Sequence, residues 1–145
     1  MSVSMVDITE KEISYREAVA VGKIYLKKST IEMIKQNKVE KGDVLTVSKI
    51  AAIQVVKKTS ELLPLCHPIP ITHVDVNMEI YDNFIEVSVK VKSSGKTGVE
   101  MEALSGVAVA LLNIWDMVKK YEKNEKGEYP TTLMSDIRVI RKAKK

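Results

Sequence analysis

The hydrophobic period changes partway along this chain, and that change limits the folds open to it. In residues 71–80, Thr72, Val74, Val76, Met78 and Ile80 fall on one side of an alternating pattern. In residues 84–92 the same alternation groups Ile85, Val87, Val89 and Val91. A period of two predicts strands with one buried face. Tyr81-Asp82-Asn83 separates the two runs, so they read as a hairpin. From Val99 to about Tyr121 the period lengthens, and Leu104, Val107, Leu111, Ile114 and Val118 form a helical stripe.

The flanking segments complete the pattern. Residues 14–27 are rich in Val, Ile and Tyr and read as a strand. Residues 29–37 read as a short helix with Ser29 or Thr30 as N-cap. Lys41-Gly42-Asp43 is a turn, and Asp43 can cap a helix running to about Leu63, where Pro64 stops it. In that helix Val47, Ile50, Ile53 or Gln54, and Lys57 or Lys58 recur at helical spacing. A last strand follows Pro130, at 136–141. The expected fold is α+β and ferredoxin-like: a mostly antiparallel sheet with helices packed on one face. At 145 residues the chain is expected to be one domain, 1–145.

Charge and cysteine content narrow the function classes. The net charge of +4 suits an anionic small substrate as well as nucleic acid. An RNA-reading sheet stacks bases on aromatics, but Phe84 is the only Phe and aromatics total 5%. The strands offer Val and Ile instead, so no nucleic-acid partner is expected, and with no apolar stretch of bilayer length read, no membrane partner is expected either. One cysteine forms no internal disulfide, so the reducing cytoplasm is the expected compartment. The first seven residues lack the basic start and apolar run of a signal peptide. No apolar stretch is read as reaching the ~20 residues that span a bilayer.

Four segments carry polar chemistry. Ser94–Leu104 joins a strand to a helix and contains Gly95-Lys96-Thr97. A P-loop needs a glycine five positions before Gly95, where Lys90 stands, so the phosphate cradle is incomplete. The segment suits either an anion at the helix start or a plain strand–helix turn with acidic residues near the N-terminus. Glu100 and Glu102, about 200° apart on a helix, cannot share a face. Either carboxylate can accept hydrogen bonds from a guanine-like edge.

Leu62–Ile71 holds three prolines in seven residues, Pro64, Pro68 and Pro70, which keep the backbone extended. Cys66 and His67 then point to opposite sides, a poor nucleophile–base geometry. One Cys with His67 and His73 lacks zinc-ligand spacing, so no metal site is expected. Asp116 stands i,i+3 and i,i+4 from Lys119 and Lys120, which fits a surface ion pair or an acid–base pair. Lys41, Lys49, Lys57 and Lys58 suit phosphates or simply solvent.

In order along the chain stand Lys41-Gly42-Asp43-Val44, Ile50-Ala51-Ala52-Ile53-Gln54, Leu63-Pro64-Leu65-Cys66-His67-Pro68, Gly95-Lys96-Thr97-Gly98-Val99-Glu100-Met101-Glu102-Ala103-Leu104 and Asp116-Met117-Val118-Lys119. Together they resemble the cyclic pyranopterin monophosphate synthase family, the C protein of molybdenum-cofactor biosynthesis. The resemblance runs from Met5-Val6-Asp7 to about Lys119.

That resemblance implies an enzyme, a phosphorus–oxygen lyase. It would convert 3′,8-cyclised dihydro-GTP, handed on by a radical SAM GTP cyclase, to cyclic pyranopterin monophosphate and diphosphate. It implies Asp116, Lys119 and Lys41 as catalytic. Leu65, Cys66, His67, Glu100, Met101, Glu102 and Arg16 would meet substrate, with Lys57 and Lys96 in a lesser electrostatic role. No cofactor is implied beyond Mg²⁺ that a triphosphate can bring. The family forms hexamers, trimers of dimers. Glu102 and Asp116 lie roughly 21 Å apart along one expected helix, so the site is expected at a subunit interface. The chain departs from the family at Ile140–Lys145, where a Gly/Ser/Lys-rich tail often follows; a tail contact with substrate is thereby in question.

Overall fold

Strands β1 (Ser14–Tyr25), β2 (Ile71–Ile80), β3 (Phe84–Gly95) and β4 (Leu133–Lys144) form one sheet in the computed structural model, which describes residues 1–145. The spatial order is β2-β3-β1-β4, and each neighbouring pair is antiparallel. Helices α1 (Lys28–Lys35), α2 (Val44–Lys57) and α3 (Thr59–Leu62) lead from β1 to β2, and α4 (Glu100–Glu122) leads from β3 to β4. This is the expected α+β, ferredoxin-like arrangement.

Alternation explains where the core sits. Ala18, Ala20 and Ile24 of β1 and Ile85, Val87, Val89 and Val91 of β3 are fully buried, together with Val107, Leu111, Ile114 and Val118 of α4. Each large side chain so buried contributes about 1.5–3 kcal/mol. The α4 stripe therefore lies across the middle of the sheet, and α2 packs beside it. The hairpin is also as expected: the Tyr81 N–H donates to Phe84 O, and the two rings stack at 4.5 Å.

Several local expectations are corrected. Neither Ser29 nor Thr30 caps α1. The N-cap is Lys27, with no side-chain cap of its own, and its N–H donates to the Glu122 carboxylate at 3.1 Å. Thr30 is buried inside the helix and donates to the same carboxylate. The helix begun by Asp43 does start there, with Asp43 accepting from the Thr46 N–H at 3.1 Å. It ends at Lys57, because the Thr59 hydroxyl takes the Val55 and Val56 carbonyls and a separate turn, α3, begins. Its buried face is Val44, Ser48, Ala52, Val55 and Val56; the expected Val47 and Ile50 point outward. β4 is longer than 136–141. Irregular pairing with β1 and a left-handed Asp136 (φ 56°) break its alternation and hid its ends. Finally, α4 has the length and apolar composition of a bilayer-crossing helix, which no stretch was expected to have; here it lies on the sheet.

Candidate active site

The segment between α3 and β2 meets the start of α4. Its expected extended course is only partial. Leu63–Cys66 is a turn closed by the Cys66 N–H on Leu63 O, with Pro64 in the position that a fixed φ favours. Leu65, Cys66 and His67 then border a cavity of about 450 Å³ together with Glu100, Met101 and Glu102. Six residues from two distant motifs thus share one concavity.

The two glutamates occupy different environments, as their separation on the helix requires. Glu102 is only 3% exposed. Burial, reinforced by the Glu100 charge, holds its carboxyl above the ordinary carboxylate range. Cys66 Sγ lies 4.0 Å from Glu102 Oε2, and its thiol is pushed up by burial and by that carboxylate. Glu100 behaves oppositely. Burial works against its charge, but Lys142 Nζ stands 2.7 Å from Oε1, and Arg16 adds its field. The net effect holds Glu100 below the ordinary range.

Arg16 is buried in β1, and its guanidinium reaches the Gly95 and Lys96 carbonyls at 3.4 and 3.3 Å. It thereby fixes the loop that leads into α4. His67 Nε2 lies 2.7 Å from Val6 O, and Lys96 Nζ donates to Thr9 O at 2.9 Å. Cys66 and His67 thus engage opposite partners, one on α4 and the other on the N-terminal segment. His73 and Lys57 are exposed and stand in neither cluster.

The second cluster lies near the far end of α4. Lys41 Nζ is 3.2 Å from Asp116 Oδ2 and 3.0 Å from Asp116 O, and Lys119 Nζ is 3.2 Å from Asp116 Oδ1. These contacts, Lys41 first, hold the Asp116 carboxyl below its usual range. All three side chains are about half exposed, so the pair expected between Asp116 and Lys119 is a surface pair joined by a third group. A cavity of about 340 Å³ adjoins them. No residue lines both this cavity and the one around Glu102.

Lys142, which meets Glu100, is not marked out by the sequence. It lies in a basic run with Arg138, Arg141, Lys144 and Lys145, and nothing local distinguishes it. The pairing of Lys142 with Ala18 turns it toward the helices and brings it to Glu100.

Known proteins resemble this chain over nearly its whole length. The MoaC family model matches residues 5–145. The chain is 56% identical over 142 residues to a protein of Thermococcus kodakarensis named "probable cyclic pyranopterin monophosphate synthase", covering 98% of this chain and 91% of that one. It is 58% identical over 140 residues to a Sulfurisphaera tokodaii protein of the same name, covering 97% and 93%. A Methanothermobacter thermautotrophicus relative, 54% identical over 142 residues (98% and 89%), is named "probable cyclic pyranopterin monophosphate synthase accessory protein".

Proposed function

This chain belongs to the MoaC family, and from that premise we propose that it is a cyclic pyranopterin monophosphate synthase of molybdenum-cofactor biosynthesis. It takes 3′,8-cyclised dihydro-GTP from a radical SAM GTP cyclase and releases diphosphate, acting as a phosphorus–oxygen lyase in the cytoplasm. The observation that carries this reading is the meeting of Lys41 and Lys119 on Asp116, each at 3.2 Å.

Closure of a cyclic phosphate needs three things. A hydroxyl oxygen attacks the α-phosphorus, the bond to the bridging oxygen of the β-phosphate breaks, and the hydroxyl proton passes to a base. Asp116, ionised beside two ammonium groups, is the proton acceptor of the cluster. Lys41 and Lys119 neutralise the charge that grows on the departing diphosphate and can supply a proton. At the other pocket the two glutamates divide their tasks. Ionised Glu100 accepts hydrogen bonds from the pterin edge, whereas Glu102, holding its proton more tightly, can also donate one. Leu65, Cys66, His67 and Met101 shape that pocket, and Arg16 orders its loop. The triphosphate would bring any Mg²⁺ with it.

Glu102 and Asp116 lie fourteen residues apart on the continuous helix α4, a rise of roughly 21 Å. One nucleotide does not span both clusters of a single chain, so each site is built from two subunits; the family resemblance implies that these belong to a hexamer, a trimer of dimers. Exposed Ile50, Leu62 and Leu112, each more than half accessible, supply apolar surface for such contacts.

The deciding assay is diphosphate release from the cyclised substrate. Asp116→Asn should fall by about 100-fold or more while staying folded, because its surface pairs contribute little to stability. Near-normal turnover of the variant would remove Asp116 from the mechanism.

A further inference from the structure

Lys41 sits at the tip of a turn, Val39–Gly42, closed by the Gly42 N–H on Val39 O at 3.0 Å. Val39 is buried and anchors the start of the turn in the core. The tip is tied to α4 through Glu40. The Glu40 N–H donates to the Tyr121 phenolic oxygen at 2.9 Å, and the Glu40 carboxylate pairs with Lys120. Tyr121 and Lys120 line the same cavity as Lys41, Asp116 and Lys119.

This arrangement answers a mechanical need. Lys41 has a long side chain about half exposed, and such a chain holds one place only if its backbone is fixed. The Lys120–Glu40 pair is exposed on both sides and is screened by solvent. The phenol–amide hydrogen bond is directional and fixes the Val39–Glu40 peptide, one unit before the peptide that joins Glu40 to Lys41. We infer that Tyr121 is a positioning residue for Lys41: its oxygen pins the turn to α4 and so keeps the Lys41 ammonium on Asp116. The inference rests on the reading of Lys41 and Asp116 as reacting groups.

Tyr121→Phe tests it, because one oxygen is removed and the ring that packs is kept. In the full-length protein, the Asp116 carboxyl carbon is followed by ¹³C NMR during an acid titration. Lys41 is the foremost cause of the low proton affinity of Asp116. In Tyr121→Phe the titration should therefore move toward the ordinary carboxylate range, in the direction set by Lys41→Ala. Amide exchange at Glu40 should accelerate. Turnover should fall about three- to tenfold, the population change one hydrogen bond can impose, with kcat reduced more than KM is changed. In a Lys41→Ala background the same substitution should cost nothing further.

An unmoved Asp116 titration in Tyr121→Phe overturns the inference. So does an equal loss of turnover in both backgrounds, which would mark a general structural role. Full turnover in Lys41→Ala alone would instead overturn the catalytic reading of Lys41, and the titration would still decide whether Tyr121 holds it.

Discussion

The Cys66 thiol and the Glu102 carboxylate stand 4.0 Å apart on the wall of one cavity, and Glu102 has no cation at ion-pair distance. A carboxylate buried without a counter-charge costs stability in its ionised form. The folded chain holds the Glu102 proton more tightly than the unfolded chain does, whose reference value is 4.5. Its stabilising effect is therefore fully present in acid and is lost as pH rises through the folded titration. Glu102→Gln removes that loss. At pH 8 its melting temperature should exceed that of the parent by about 2–4 °C, the shift expected for about 1 kcal/mol. The gap should close near pH 4, while turnover falls at least tenfold at neutral pH. Scanning calorimetry at both pH values checks this, and a variant less stable than the parent at pH 8 would refute it.

Separate clusters on one helix have a consequence for mixed assemblies. On the proposed reading, Glu102→Gln and Asp116→Asn should each impair every site when purified alone. If each site draws Glu102 from one protomer and Asp116 from the next, a mixed dimer keeps one intact site of two. After random exchange, activity should recover to about one quarter of the parent value. Subunit exchange is confirmed independently by mass spectrometry of isotopically labelled protomers. No recovery after exchange would rule out the shared site.

Much of this arrangement was legible in the sequence because period and punctuation agree. The alternation in 71–92 and the stripe from Leu104 to Val118 give the sheet face and the helix that covers it, and Asp43 is a cap in place. Contacts that join distant segments were not legible. Thr30 reads as a cap for α1, but its hydroxyl donates instead to a carboxylate 92 residues away, and no side chain caps the helix. In α2 the apolar residues surround the helix, so Val47 and Ile50 compete with Ala52 and Val56 as the inner stripe; packing on α4 decides. Lys142 is one cation among five until strand register turns it toward Glu100. Asp116 and Lys119 were visible as a spaced pair, whereas Lys41 joins them 75 residues back through a turn.

Gly106 shows how tightly α4 is seated. A Cβ at this position would stand 2.9 Å from Val56 Cγ2 and 3.1 Å from Val89 Cγ1, between α2 and the sheet. Alanine gains about 1 kcal/mol of helix propensity over glycine. Overpacking of a filled core costs about 1–3 kcal/mol. The second effect should win, and Gly106→Ala should unfold at a lower urea midpoint, with a loss of stability of about 1 kcal/mol. Urea titration followed by circular dichroism measures the change. A stabilised variant would show that the two valines yield freely.

Glu122 is the most heavily used carboxylate of the fold. It is fully buried, and it accepts from the Lys27 N–H, the Thr30 hydroxyl and the Thr132 hydroxyl at 2.6 Å. Three donors from two segments thus converge on the last turn of α4, and one of them starts α1. Glu122→Ala strands all three, and each buried donor without a partner costs about 1–3 kcal/mol. A loss of about 3 kcal/mol or more is expected. Glu122→Gln keeps an acceptor oxygen and the side-chain volume, and the hydroxyls can turn to accept from its amide, so its loss should be about half as large. The ranking parent, glutamine, alanine in urea stability is the measurement. Faster amide exchange at the α1 N-terminus and around Thr132, with β3 amides unchanged in rank, should accompany it. Equal stability of the alanine and glutamine variants would mean that the three donors find other partners and that the carboxylate does not hold these segments together.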